Sequence, residues 1–526
     1  MDWHVKANKA AELLLTIGII VVLMLIICTN IFHFNYIMNA DLASDAVLAK
    51  LIWTSREIIP DSWFIAAETR IIGTPNFGAL FYGLTGNMVL SEGLACCLMT
   101  FFILAGIFYF GKKAKLNKTE TMLLAFLGLA LSANMAILEL LYLFASYYAI
   151  HTAVLFFTLG IYVEGIQEKR LKWAPVIFSI AFALCLGIQG VRGILVIYGP
   201  LFGMEAIRVI YRGISPKTVT GGHILKSWID GVKGEKADWV ISLWVAALLA
   251  FSFIGTRFPF SVGQTFSRNI RNGMKKLITV VLPDMRKAAS FDQVNLFGKV
   301  CLVILFLTVF YLLTNVLYRM WKKKEIEAAE WGFLVICASP VVTAFIVAFT
   351  TFEDSERYYF LVIYAMAFGA VLAGRRLKQE WKIIGGFLIA AFVAVNIYTV
   401  YLPIIRSQEP PASELFEVGN YLIENEYHTA YATFENANTL TVLTNGKVQV
   451  SAVASVEKMD ICKWMSSTKW YVPNMPFEDK TAYVITKAEA ESFAVFLETH
   501  KEEVEFAASI GKYSIYTSNY NFSVLE

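Results

Sequence analysis

The stretch ELLLTIGIIVVLMLIICTNIFHFNYIMNADLASD, residues 12–45, decides how this chain is organised. Residues 12–33 are apolar almost throughout after Glu12 and exceed the ~20 residues that a helix needs to cross a bilayer. The run is too long for the core of a secretion signal and lacks a convincing small-residue cleavage site before Asn30, so it reads as a permanent anchor. Directly behind it come Met38-Asn39-Ala40-Asp41-Leu42-Ala43-Ser44-Asp45, which set two carboxylates four residues apart where the membrane meets water.

The rest of the chain agrees with an anchor of this kind. Hydrophobic residues make up 57% of the 526, and 40 Phe, 24 Tyr and 12 Trp are more apolar surface than a water-soluble core can hide. Charged residues are 17%, against about 25% in ordinary globular chains. Together with a mean hydropathy of +0.57, these figures exclude a soluble enzyme and a disordered chain. A net charge of +3 offers no basic field for nucleic acid.

Eleven stretches are apolar and long enough to span, near residues 12–33, 88–110, 119–137, 147–166, 173–190, 193–211, 239–256, 298–319, 331–351, 357–374 and 383–403. The sixth is the weakest, because Pro200 and several glycines interrupt it. With a cytoplasmic N-terminus the inner segments collect 22 Lys and Arg, whereas the short outer loops carry Arg56, Arg70, Arg192 and Arg357. The expected molecule is therefore a polytopic α-helical membrane protein with its N-terminus inside and its C-terminus outside. Residues 1–405 form the membrane domain, with large outer loops at 34–87 and 257–297. After the Pro410-Pro411 linker, residues 406–526 read as a small extracytoplasmic α/β domain. It has helical stretches near 413–426 and 487–500 and strand-like runs at 429–434, 447–453, 481–486 and 512–517. Cys462 has no cysteine partner outside, since the other six lie in spans, so no disulfide or zinc framework is expected.

Chemistry is expected where charges are stranded on the outer side. If residues 38–52 are helical, Asp41 and Asp45 share a face beside an apolar stripe of Val47, Leu48, Leu51 and Ile52. Carboxylates that close raise at least one pKa, which suits a general base or a cation site. The same spacing also fits a solvated helix start. Glu68 and Arg70 stand two residues apart in an apolar run, either as a local ion pair that shapes the loop or as a device that positions Asp41. Arg192, and Arg357 with Tyr358 beside it, lie on the outer side against the inside bias. Their guanidinium forks match phosphate, lipid headgroups or nearby acids such as Glu353, Asp354 and Glu356. His151 sits just inside the outer end of the fourth span, as a structural hydrogen-bonder or a proton-handling group. Between residues 257 and 297, Phe266, Ile270, Met274, Leu277 and Val281 recur at helical spacing, with Arg268, Arg271, Lys275 and Lys276 on the remaining surface. That pattern describes an interfacial helix able to attract an anionic headgroup, whether an ordinary phospholipid or a polyprenyl phosphate.

Taken together, the chain resembles the membrane-integral glycosyltransferases of the GT-C fold. The resemblance lies in the first span, the acidic start of the loop behind it, the many later spans, the second large outer loop and the outer C-terminal domain. Met38 to Ala49, the Tyr-Tyr…His151 stretch and Glu435-Asn436-Ala437-Asn438-Thr439-Leu440-Thr441 look like a group of bacterial GT-C-like membrane proteins, distantly related to the protein mannosyltransferases and aminoarabinose transferases. Two departures stand out. Protein mannosyltransferases commonly carry adjacent Asp-Glu where this chain has two Asp spaced by four, and the Trp-Trp-Asp motif of oligosaccharyltransferases is absent, since Trp470 precedes Tyr471 and Val472. The resemblance implies a sugar taken from a polyprenyl-phosphate donor at the outer face of the cell membrane and given to an envelope glycan, lipid or protein. In that scheme Asp41, Asp45 and Glu68 are the catalytic acids, with Asp41 the leading candidate for the base and Asp45 the second. Arg70, His151, Arg192, Arg268, Arg271, Lys275, Arg357 and Tyr358 hold the donor and its phosphate. No cofactor is required, although Asp41, Asp45 and Glu68 could hold a divalent cation. The competing expectation is a transporter or a lipid or polysaccharide flippase, which the many spans also fit.

Overall fold

The computed structural model describes residues 2–34, 38–66, 68–214, 236–259, 267–407, 413–471 and 480–523. Phe266, the Pro410-Pro411 linker and the expected inner segment at 215–235 lie outside them. The chain is a multi-pass membrane protein. Nine described helices are long and apolar enough to cross a bilayer, up to ten if one bent pair is counted as a single span, and Trp173–Gln189 is a shorter apolar helix of 17 residues. These elements cover all eleven expected spans.

In chain order the helices are α1 (Asp2–Phe32), α2 (Ala40–Ser55), α3 (Thr74–Thr85), α4 (Met88–Lys113), α5 (Lys118–Ala130), α6 (Met135–Leu141), α7 (Ala149–Glu168), α8 (Trp173–Gln189), α9 (Gly199–Ile214), α10 (Lys236–Gly255), α11 (Ile270–Lys276), α12 (Leu282–Ala288), α13 (Leu296–Trp321), α14 (Ala328–Phe349), α15 (Leu361–Gly374) and α16 (Gln379–Arg406). The C-terminal segment adds α17 (Ser413–Glu424), β1 (Thr429–Thr433), α18 (Phe434–Leu443), β2 (Gln449–Ser455), β3 (Asp460–Ile461), β4 (Thr481–Thr486), α19 (Ala490–His500), β5 (Glu505–Ile510) and β6 (Tyr513–Ser518). Two compact units result. The first comprises Met1–Leu25, Met99–Tyr142 and Ser146–Pro403, and the second comprises Ile26–Leu98, Leu143–Ala145 and Ile404–Glu526.

The expected third span is not one straight helix. It breaks between α5 and α6 with a bend of 119°. Asn134 caps α6 by accepting from the Ala136 N–H at 2.8 Å and donates to the Lys287 carbonyl at 2.9 Å and to Glu356 at 3.1 Å. Side-chain and tertiary partners thus replace the helical ladder. The sixth span, interrupted by Pro200, opens instead with a π-turn at Ile194–Tyr198, where the Gly199 N–H bonds to the Ile194 carbonyl. Proline has no N–H to continue an ordinary turn, and the wider turn absorbs that loss. The same device recurs at Leu277–Val281, just ahead of Pro283.

Within the first unit α8 and α10 pack closely. A Cβ on Gly187 would stand 2.1 Å from the Ser252 carbonyl oxygen, and the Trp244 indole donates to Ser179 at 3.0 Å. Small residues that let backbones meet are how helices associate where no water drives them together.

The second unit carries a six-stranded sheet in the order β3-β2-β1-β4-β6-β5. β1 runs parallel to both β2 and β4, while β3, β6 and β5 pair antiparallel. Side chains alternate across it as the two-residue period requires. Ala430, Ala432, Ala482 and Val484 join Val418 and Leu422 of α17 and Leu440 of α18, whereas Tyr431, Tyr483 and Ile485 join Phe493 and Phe496 of α19. The four expected strands fall on β1, β2, β4 and β6. The edge strand β5, mostly exposed, was not expected, and neither was α18.

Candidate functional site

In the second unit the loop behind the first anchor folds into α2 at once. Asn39 begins it, its side chain accepting from the Leu42 N–H at 3.0 Å, so Asp41 lies in the first turn, where the helix dipole favours an anion. The expected apolar stripe proves too narrow. Ala40, Leu42–Ala49 and Leu51 are all buried, and α2 packs against both α3 and α18. Asp41 stays half-buried, whereas Asp45 is 4% exposed.

Asp45 is not alone in that interior. Arg70 Nε lies 3.9 Å from Asp45 Oδ1, and Arg70 Nη1 lies 3.4 Å from Glu68 Oε2. The Glu68–Arg70 pair therefore exists and extends to the second acid of the helix. Asp45 Oδ2 has no hydrogen-bond partner among the described residues. Burial pushes the Asp45 carboxyl up to about 6; Arg70 opposes this, and Asp41 and Glu68 add to it. A carboxylate poised near neutrality, next to a half-exposed one, is the electrostatic setting of general acid–base chemistry.

A fourth carboxylate, the second that is buried, was not expected from the sequence. Glu92, on the second turn of α4, is fully buried, and neither of its oxygens has a hydrogen-bond partner among the described residues. Asp45 and Arg70 act on it electrostatically. Gly78 of α3 makes room for it, since a Cβ there would stand 3.1 Å from Glu92 Oε2 and 3.1 Å from the Ala49 Cβ. Its signal in the sequence was a lone acid in the apolar run from Met88 to Phe110. Among the described residues no three His, Cys, Asp or Glu side chains gather as a metal-holding group. Asp41, Asp45 and Glu68, which could have held a divalent cation, do not form such a group, and the Arg70 guanidinium sits with Asp45 and Glu68 instead.

The first unit assembles a different cluster. Arg192, in the turn after α8, stacks its guanidinium 3.6 Å from the centre of the Tyr148 ring and 5.4 Å from that of Tyr358. The His151 ring meets Tyr148 edge-on at 6.0 Å, and Phe360 packs on the same tyrosine at 5.3 Å. Stacking engages the face of a guanidinium, whereas its hydrogen bonds run in its plane. Of the expected donor-side residues, Arg192, His151 and Tyr358 thus come together. Arg357 reaches Glu139 at 3.8 Å rather than an acid of its own turn. That turn is held by Ser355, whose side chain accepts from the Arg357 N–H, and by Asp354, which accepts from the Tyr359 hydroxyl at 2.7 Å.

Arg268, Arg271 and Lys275 lie exposed on a separate segment that runs through α11, the π-turn and α12. Ile270, Met274 and Ile278 are exposed beside them, while Gly273 and Val281 are buried. The stripe expected from spacing is therefore divided: Val281 turns inward, and Ile270 and Met274 turn outward with the cations.

The fold is that of a polytopic membrane protein of the GT-C type. The crystal structure of ArnT from Cupriavidus metallidurans in the apo state is similar to this chain with a TM-score of 0.56 and 12% identity, covering 98% of this chain and 100% of that one. At that identity the likeness establishes the fold. No protein-family model matches the sequence, and no curated protein matches it significantly.

Proposed function

We propose that this protein is a membrane glycosyltransferase that moves a sugar from a polyprenyl-phosphate donor to a hydroxyl of an envelope acceptor outside the cytoplasm, with the N-terminus inside. The observation that carries the reading is the acid helix α2, with half-buried Asp41 ahead of buried Asp45 in the environment of Arg70, Glu68 and Glu92. Burying that much charge is costly and is expected where carboxylates do chemistry. The GT-C fold supports the same class of reaction.

Asp41, the more exposed acid, takes the proton of the acceptor hydroxyl. The oxygen attacks the anomeric carbon, the bond from that carbon to the phosphate oxygen breaks, and the polyprenyl phosphate leaves with the electron pair. One displacement inverts the anomeric centre. Asp45 and Glu92 form the buried side of the acid cluster that includes Asp41, and Arg70 limits the repulsion among its carboxyls. Guanidinium forks match phosphate, and within the first unit Arg192, clustered with Tyr358 and His151, and Arg357 are the candidates for recognising the donor's phosphate. The cations of α11, Arg271 and Lys275, with Arg268 just ahead of them, recruit anionic headgroups at the membrane surface.

The test is transfer from a radiolabelled polyprenyl-linked sugar by purified wild type and Asp41→Asn protein in detergent. Loss of transfer in the variant supports the assignment, and undiminished transfer removes Asp41 as the base. Uptake into vesicles with no covalent transfer would support a transporter instead.

A further inference from the structure

The second unit brings a long-range residue to the acid helix from nearly 400 positions away. Asn438, in the middle of α18, is fully buried. Its amide donates to Ser44 Oγ at 2.8 Å and to the Met465 carbonyl at 3.0 Å. Ser44 is the neighbour of Asp45, and its own hydroxyl donates to the Ala40 carbonyl at 2.6 Å, which leaves its lone pairs for Asn438. Met465 begins a short pairing with the loop that leads to Glu68 and Arg70. The Met465 N–H donates to the Phe64 carbonyl at 3.0 Å, the Phe64 N–H to the Ser466 carbonyl at 2.8 Å, and the Thr468 N–H to the Ser62 carbonyl at 2.8 Å. Trp63 and Trp470 close that pairing edge to face at 6.0 Å.

The turn that ends α18 grips two more points. Lys50 of α2 donates to the Gly446 carbonyl at 2.9 Å, and Gly446, at φ +69°, has no room for a Cβ beside that ammonium. Asn445 accepts from the Met88 N–H at 2.8 Å and donates to the Gly86 carbonyl at 3.0 Å, just before the turn of α4 that carries Glu92. Residues 438–468 therefore fasten all three segments that bear the carboxylates of the cluster. A buried amide with both donors engaged is a stiff link, because losing either partner strands a polar group away from water.

We propose that Asn438 is the positioning residue of the acid cluster, and that the C-terminal α/β segment sets the geometry of α2 through it. Asn438 touches neither substrate nor reacting atom in this account; it acts through Ser44 and the 465–468 turn. Only the activity part of the test below rests on the glycosyltransferase reading.

Thermal unfolding of the full-length protein is followed from pH 5 to pH 8 in wild type, Asn438→Ala, Ser44→Ala and Asn436→Ala, each with and without Asp45→Asn. Asn436 lies on the same helix, but its side chain accepts from the Tyr513 hydroxyl at 3.2 Å, so it controls for damage to α18 alone. Subtracting the Asp45→Asn partner isolates what Asp45 contributes, while Asp41, Glu68, Arg70 and Glu92, which face it, stay the same throughout. In wild type that contribution falls as pH rises through about 6, because burial favours the neutral carboxyl. Loosening α2 admits water, so Asn438→Ala and Ser44→Ala should cut the fall by about half or more, and Asn436→Ala should leave it intact. An undiminished fall in both Asn438→Ala and Ser44→Ala would overturn the proposal, and Ser44→Ala decides the matter if Asn438→Ala does not fold. In transfer assays Asn438→Ala should lower kcat about tenfold at unchanged donor KM. If wild type transfers no sugar, the reaction assignment fails while the unfolding data still judge Asn438.

Discussion

The two charged clusters of this molecule solve opposite problems. The acid cluster of the second unit takes carboxylates out of water, leaves Asp45 Oδ2 and both Glu92 oxygens without hydrogen bonds from the described residues, and relies on Arg70 for compensation. The arginine cluster of the first unit keeps a permanent cation and spreads it over the faces of Tyr148 and Tyr358. Desolvation moves a carboxyl across the neutral range but leaves a guanidinium charged. The first arrangement suits a group that must gain and lose a proton, and the second suits one that must hold an anion at any physiological pH. Carboxylates near an arginine are thus a different device from arginines near aromatic rings, even where both sit in a membrane protein.

This contrast can be broken from either side. The largest effect is expected at Asp41, where replacement by Asn should reduce covalent transfer about a thousandfold while donor binding is retained. Equal loss of binding and turnover would make Asp41 a binding residue and erase the distinction. Next comes Arg192→Ala, which should weaken binding of a polyprenyl-phosphate donor about ten- to hundredfold, as loss of charged hydrogen bonds does. Arg192→Lys should recover only part of that binding, because an ammonium cannot stack and fork at once. Neither variant should shift the pH dependence of turnover.

Asp45 offers a sharper test with a defined sign. Its folded-state carboxyl is raised from the ordinary 3.8 to about 6, so its neutral form is favoured by folding, and that stability is present below 3.8 and lost as pH rises through 6. Asp45→Asn should therefore be more stable than wild type at pH 8 by roughly 1–3 kcal/mol, with the difference shrinking toward pH 4. A difference that grows as pH falls would mean that Arg70 and not burial governs Asp45. The smallest effect is expected at Gly446→Ala, which should cost about 1 kcal/mol for its left-handed backbone and somewhat more for displacing Lys50.

How much of this could be read from sequence follows from the range of the forces involved. The spans were legible because apolar excess is local and continuous, and α2 was marked by the spacing of Asp41 and Asp45 beside an apolar stripe, whereas its Asn39 cap was not. The break after Ala130 was not, because its cause is Asn134 binding Lys287 and Glu356 more than 150 residues away. Glu92 was visible as a solitary acid in an apolar run, yet only the fold brings it under the influence of Asp45 and Arg70. Arg192 was marked by its location against the charge bias, whereas the Tyr148 ring beneath it comes from a loop more than 40 residues earlier. Spacing put Val281 with Ile270 and Met274 on the apolar side of one interfacial helix, and did not register the π-turn ahead of Pro283, at the end of which Val281 is buried. Local patterns thus identified which residues were unusual, and tertiary contacts decided what they face.

The central claim is that the acid helix belongs to a bond-breaking centre. It is tested most directly by reconstituting the protein in vesicles that carry a polyprenyl-phosphate sugar and following both the glycosyl–phosphate bond and the leaflet in which the lipid resides. The account predicts cleavage of that bond, with sugar recovered on an acceptor and free polyprenyl phosphate released, and loss of both products in Asp41→Asn. Movement of intact lipid-linked sugar between leaflets, with no cleavage in wild type, would contradict it.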